Sequence, residues 1–443
     1  MNLHFIWIYS LCIIQDSPQD LKREALAIEQ VYENSLLNLC AATGSNSSHR
    51  SFVAREPYLF KPLEVTSSWD NQDPRGLVLS FSGMFAEDVV QSPLRTRAWV
   101  YQEFFLSGRS LILARGQMWW HCRNEVACEG HPSGYSPAGG TGGGWVTGLK
   151  SNGPKSLRRS GEVFQRFSVY RWKCLVQDYV QMRLTKETDR VFAFSAIVRS
   201  FGKSESMEDQ YLAGLWRRDL PRGLFWGVDG GSITHRADGY RAPSWSWVSL
   251  EGPFAMPATL SHEELIASLE NVWPHYNDHE KDLMALSKGA GIEICGHLIG
   301  PRNVGATGKP NYLDAAIIQS FCGARPNSSE PWHEVTWDEH DAPGKPVISY
   351  ADNLNLGCRG MGLVEGASRE TVRLGDAQGT FFFLALHIYK WTNHRLSGIV
   401  LYQPIHQAGI IHRVGIWEAV TCPDGSSIKD IGVKYPKQTV YII

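Results

Sequence analysis

No charge imbalance marks this chain: 43 Lys and Arg stand against 45 Asp and Glu, a net charge of -2 over 443 residues, with no long block of either sign. Electrostatics therefore makes no case for nucleic acid or an anionic membrane as a partner. Leu3 to Ile14 (LHFIWIYSLCII) is the apolar run nearest to a targeting segment, and it is too short to span a bilayer. No Lys or Arg precedes it and no small-residue cleavage site follows before Gln15-Asp16, so a signal peptide is not expected. The nine cysteines are odd in number and widely scattered, with no C-x-x-C pair. That usage favours reduced thiols and a cytoplasmic location, and leaves the sequons at Asn46 and Asn327 as chance matches. Several catalytic signatures are missing too. There is no G-x-G-x-x-G, no H-E-x-x-H and no G-x-S-x-G, and GATGK at Gly305 to Lys309 lacks both the earlier Gly and the following Ser or Thr of a Walker loop.

Aromatic rings are what the chain has in abundance, with 18 Phe, 16 Tyr and 16 Trp. Rings at that density imply large packed cores or stacking sites. Phe5 to Ile14 is continuously apolar and predicts a strand covered on both faces. A helix start follows, with Ser17 as cap, Pro18 at the first helical position and Asp20 three residues after the cap. Leu21, Ala25, Ile28 and Val31 or Tyr32 recur at helical spacing, and Leu36 to Ala42 predicts a second buried strand. Strand, crossover helix and strand make a parallel, right-handed unit.

Further along, Leu94 to Phe105 fits a helix and Ser110 to Ala114 a strand, while Tyr58 to Val65 and Leu77 to Phe81 read as short strands or insertions. Gly, Ser and Pro crowd residues 126 to 161, a linker or loop that includes GGTGGGW. Helical spacing returns in Phe164 to Met182, Asp189 to Phe201 and Tyr211 to Trp226, within a unit placed at 162–235. From 236 to 443, short β-branched and aromatic stretches between turn residues predict an antiparallel β-rich region. His121, Cys122, Cys128 and His131 are soft-ligand types in a non-standard spacing, and buried thiols and loop histidines account for them better than zinc. No metal site and no bound cofactor are expected.

Three segments carry a resemblance. FIWIYSLCIIQDS at 5–17, QDLKREALAIEQVYENSLLNLCAA after it, and LRTRAWVYQEFFLSGR at 94–109 together resemble the fungal heterokaryon incompatibility (HET) domain, whose pattern runs W-I-D-S-L-C-I-I-Q-D, then Y-x-N-A, then Arg-x-Trp-x-x-Gln-Glu. Leu184-Thr185 with Asp189-Arg190, YLAGLW at 211–216 and YRAPSWSW at 240–247 resemble the region that commonly follows it.

The resemblance implies a role in fungal self/non-self recognition and regulated cell death, with protein partners of that pathway and homo-oligomers. It also implies a TIR-like, flavodoxin-like parallel α/β fold at 1–125, followed by the helical unit and the β-rich region. Some TIR domains cleave nicotinamide from NAD with a glutamate on a helix bearing W-C-x-x-E. Trp99 and Glu103 share that separation, one helical turn, which makes Glu103 the candidate catalytic residue with NAD as substrate, and Trp99 and Arg97 the candidate nucleotide-binding residues. Against this stands a plainer reading, in which Glu103 pairs with Arg95, Arg97 or Arg109 and Trp99 is core. Tyr9 replaces the family's Asp, and the upstream L-S-Y-C-W-G strand of HET domains is not in the sequence. A truncated, inactive copy and a non-enzymatic assembly module are therefore the alternatives to an enzyme. Trp245 and Trp247, two apart, would share one face of a strand and pack in a core.

Overall fold

The computed structural model describes residues 4–14, 16–46, 48–55, 61–67, 75–79, 81, 83–122, 125–135, 161–205, 211–227, 235–237, 239–254, 256, 263–273, 290–299, 333–337, 379–389, 395–404, 410–419 and 431–443. The chain divides into two units, Met1–Glu208 and Asp209–Ile443. Most of the linker at 126–161 lies outside the described residues.

The first unit begins with one helical turn, α1 (Tyr9–Cys12), and the long helix α2 (Pro18–Glu33). Ser17 caps α2 by accepting the Asp20 N–H at 3.2 Å, Pro18 needs no partner at the first position, and Asp20 meets the positive end of the helix. Asn34 closes it, its backbone and side-chain amides both donating to the Gln30 carbonyl. Four strands then form one sheet in the order β1 (Asn38–Ala41), β4 (Arg109–Leu113), β5 (Met118–Cys122), β6 (Val126–Cys128). Strands β1 and β4 are parallel, with Cys40 opposite Ile112, and the other pairs are antiparallel. Between β1 and β4 lie the hairpin β2 (Leu63–Ser67) and β3 (Arg75–Leu79), and the helix α3 (Ala98–Leu106). Helices α4 (Gly161–Val180) and α5 (Phe192–Glu205) complete the unit.

One expectation fails here. Phe5 to Ile14 is not a strand: no regular element covers residues 4–8, and Phe5 and Leu11 are 96% and 78% exposed. A continuous apolar run reads as a strand only if a sheet receives it on both faces. Here Ile13 alone of the run is buried, and the Ile14 N–H is taken by the Asp20 carboxylate at 2.8 Å, which ties the segment to the start of α2 instead of to a ladder. The parallel pairing therefore joins β1 to β4, and the sheet is mixed.

Helix α3 is enclosed on several sides. Phe104 enters the core beneath the sheet with Cys40, Phe85, Ile112 and Trp119, whereas Leu106 packs with Ile28, Tyr32 and Ala196 in a second core flanked by Trp7, Trp99 and Phe105. Tyr101 stacks on Phe194 and donates to the Leu175 carbonyl at 3.2 Å. Between α2 and α5, the buried Glu29 accepts from Arg199 at 2.7 Å and Lys203 at 2.5 Å.

The second unit is β-rich, as expected. Its largest sheet among the described residues has eight strands, and the path β12 (Ser268–Trp273), β13 (Gly291–Ile299), β15 (Gly379–Tyr389), β16 (Arg395–Pro404), β17 (His412–Ala419), β14 (His333–Trp337) is antiparallel throughout. Strand β18 (Lys437–Ile442) pairs with β13, and Ile292, Ile294, Leu384 and Ile442 are fully buried. Tyr211 to Trp226 is not a helix. Ala213 and Gly214 take positive φ, 47° and 96°, in the turn between β7 (Tyr211–Leu212) and β8 (Leu215–Trp216), and 3-10 turns follow. Apolar spacing suggested a helix, but a tight turn and Pro221 interrupt it. Trp247 starts a 3-10 turn rather than lying in a strand, and donates its indole N–H to the Gly214 carbonyl at 2.7 Å; Trp245 and Trp247 are both buried.

Substituting Glu29→Ala should weaken the packing of α2 on α5 by about 1–3 kcal/mol, between the values for exposed and buried pairs because Lys203 is 63% exposed. Burial works to raise the Glu29 pKa, but the bonds from Lys203 and Arg199 outweigh it and hold it below the ordinary range. The stabilisation is thus present above that range and lost as pH falls through the lowered value. Hydrogen exchange of α2 and α5 amides against pH checks this, and the variant should lack the acid-dependent loss.

Candidate functional site

Glu103 and Trp99 sit one turn apart on α3, on the side toward α2 and the N-terminal segment. The helix starts at Arg97, whose extended backbone turns the chain into α3 and whose side chain is exposed, and ends at Ser107, which donates both its N–H and its hydroxyl to the Glu103 carbonyl. All three residues singled out in the sequence are therefore near one another. Of the plainer reading, Arg95 is buried with its guanidinium 4.7 Å from the Phe104 ring centroid and Arg109 is exposed at the start of β4, but the Arg97 charge does act on Glu103 and Trp99 does pack against a core cluster.

Four further residues join them. Tyr32, near the end of α2, lies near enough to the Glu103 carboxyl for its hydroxyl to favour the ionised form. Trp7 lies edge-on to Tyr32 with ring centroids 5.6 Å apart, and Tyr9 lies 6.4 Å from Trp7 and 6.1 Å from Trp99. Asp189, at the end of the 3-10 turn Glu187–Asp189 that precedes α5, lies near enough to Trp99 and Tyr9 to be coupled electrostatically to this cluster. The result is two carboxyl groups, four aromatic rings and one exposed guanidinium.

Electrostatics follows from burial. Withdrawal from water raises the Glu103 pKa, and the Tyr32 hydrogen bond and the Arg97 charge only partly oppose it. Asp189 is raised in the same way, against the bonds from Trp99 and Thr188 and the charge of Lys186. Burial, then Asp189 and Glu103, raise the Tyr9 phenol, which Arg97 opposes. A desolvated carboxyl beside half-buried rings can stabilise a developing positive charge and give a planar ligand a stacking surface.

His121, Cys122, Cys128 and His131 do not converge. His121 and Cys122 are neighbours in β5 and point to opposite faces; His121 is buried against the Phe104 ring at 5.1 Å, and Cys128 approaches only His131, at 3.8 Å. Among the described residues no group of three or more His, Cys, Asp or Glu is placed to hold a metal ion. No helix there is long and apolar enough to cross a membrane.

Residues 1–103 match the family model described as Heterokaryon incompatibility protein (HET). This segment is similar to HET domains. The match spans Trp7, Tyr9, Tyr32, Arg97, Trp99 and Glu103, and leaves Asp189 outside it. No curated protein and no solved structure matches the chain. Tyr32, Tyr9 and Trp7 were legible in retrospect, as the aromatic positions of the two N-terminal HET strings, but nothing in spacing could bring them to Glu103. Asp189 carried the faintest signal, a dipeptide with Arg190.

Because Glu103 titrates high in the folded chain, the native state binds more protons than the unfolded one just above the ordinary carboxyl range, and stability falls as pH rises through the folded value. Glu103→Gln keeps the shape and an acceptor for Tyr32 without the charge. It should raise the thermal midpoint of the first unit above pH 7, and the gain should vanish near pH 4; a calorimetric pH series reads both.

Proposed function

We propose that the chain acts in fungal heterokaryon incompatibility, in non-self recognition and regulated cell death in the cytoplasm, by cleaving NAD or a related nucleotide at Glu103. The observation that carries this reading is the desolvated Glu103 carboxyl one turn from Trp99, with Arg97 exposed at the rim. Trp99 would stack on the nicotinamide and Arg97 would meet a phosphate. In the reaction the N-glycosidic bond breaks, its electron pair returns to the nicotinamide nitrogen, and water adds to the ribose anomeric carbon with release of a proton. Glu103 would stabilise the oxocarbenium-like cation formed on the way. The TIR-like fold belongs to the same reading, supported by the parallel pair β1 and β4 joined through α3.

A second reading, signalling by assembly without chemistry, is favoured by a specific feature. Strand β1 ends the sheet, pairing with β4 alone among the described residues, and the first unit exposes apolar side chains at Leu39 of that strand and at Phe5, Ile6 and Leu11. Such edges pair readily with other chains.

Expression of the full chain in fungal cells, with cellular NAD followed, separates the two. The enzyme reading expects NAD to fall and cells to die, and Glu103→Ala at equal soluble level to lose turnover by on the order of 10²-fold or more. Equal death without NAD loss in both would overturn it in favour of assembly.

A further inference from the structure

Gln102, on α3, is 0% exposed, and among the described residues neither its amide nitrogen nor its carbonyl oxygen meets a hydrogen-bond partner. A primary amide offers two donors and an acceptor, and leaving all of them unmet in an interior is costly, so a fold that buries such a group calls for an account of it. The helix period supplies its setting. Positions 99, 105 and 106 are one-turn neighbours of 102, and Trp99, Phe105 and Leu106 all belong to the core that also takes in Ile28, Tyr32 and Ala196. Gln102 therefore stands in the middle of the α3 face that makes this core. The rim of the core is half-buried rather than closed, and Trp7 is the one part of that rim not carried on a helix. Its ring meets Tyr32 edge-on from residues 4–8, a segment without regular structure.

The same helix sets the amide beside Trp99 and Glu103. Successive side chains turn by about 100°, so Trp99, one turn back, lies between the directions taken by Gln102 and Glu103. A flat ring resting on Trp99 would have Gln102 on one side and Glu103 on the other. An ionised partner for the amide is disfavoured, because it would be stripped of water among apolar side chains. A ketone would satisfy the amide nitrogen only. A primary carboxamide answers both atoms at once, its oxygen accepting from Gln102 Nε2 and its nitrogen donating to Gln102 Oε1. We propose that Gln102 is the specificity-determining residue of the Glu103 site, reading the carboxamide of a flat ligand stacked on Trp99. This rests on the nucleotide reading given above, and it names the part of the ligand that is recognised. The ligand enters past Trp7, and one helix then carries two roles: Gln102 selects the base and Glu103 acts at the ribose.

The test uses the full chain and ligand-observed NMR with three small rings: nicotinamide; 3-acetylpyridine, which keeps the carbonyl but has no donor; and nicotinate, which is charged. Nicotinamide should bind at least about tenfold more tightly than either, the scale of one buried hydrogen bond. Equal binding of the three, or no binding of nicotinamide, overturns the proposal. Gln102→Met, close in length and without an amide, should remove the preference and raise the thermal midpoint, because an unmet polar group has left the core. A lower midpoint, which marks an amide already satisfied within the protein or by a trapped water, overturns the proposal, and so does a preference that survives the change. Kinetics gives a separate readout. With NAD and its 3-acetylpyridine analogue as substrates, the kcat/KM preference for NAD should fall by about tenfold in Gln102→Met. Selective nicotinamide binding without NAD turnover would sink the NAD reading and leave Gln102 as a reader of carboxamides. NAD turnover with a preference unchanged by Gln102→Met would keep the NAD reading and overturn this one.

Discussion

The packing of helix α3 on several sides at once is the constraint on which the first unit turns. Helix α3 sends Phe104 into the core under the sheet, Tyr101 toward α4 and α5, and Leu106 toward α2. Glu103, with Trp99 and Phe105, lies on the half-buried side of the helix, where loss of water still raises its pKa. A carboxylate there must find donors or give up its charge. Tyr32 and the Arg97 charge favour the ionised form but fall short of full compensation, so the group titrates high. Such a residue opposes folding at neutral pH.

The same enclosure ties the elements together. Glu29 bridges α2 to Arg199 and Lys203 of α5, and Arg183 bridges the segment before α5 to the start of α3. Each contact brings distant parts of the chain to one place. Tyr32 and Trp99 come from two elements, and their side chains share one apolar core because α2, α3 and α5 pack together there.

Elements governed by local chemistry were plain in the sequence. The cap at Ser17, the helix through Tyr32, the short strand around Cys40, the helix around Trp99 and the antiparallel C-terminal strands all follow from caps, periodicity and β-branched runs. Phe5 to Ile14 was misread because an apolar run states only that burial is favourable, not whether a sheet is there to receive it. Tyr211 to Trp226 was misread because its spacing outweighed the turn at Gly214, where a Cβ would come within 2.6 Å of the Trp247 indole nitrogen.

By itself the sequence determined the HET resemblance, the α/β and β-rich character of the two parts, and the placing of Trp99 and Glu103 on one short helix with Arg97 just before it. These are properties of neighbours along the chain, set by a period of 3.6 residues. Only the tertiary structure decided that loss of water raises the Glu103 pKa and that Tyr32 and Asp189 come near Glu103 and Trp99. Solvation and long-range hydrogen bonding depend on which surfaces are pressed together, and no local pattern of residues carries that information.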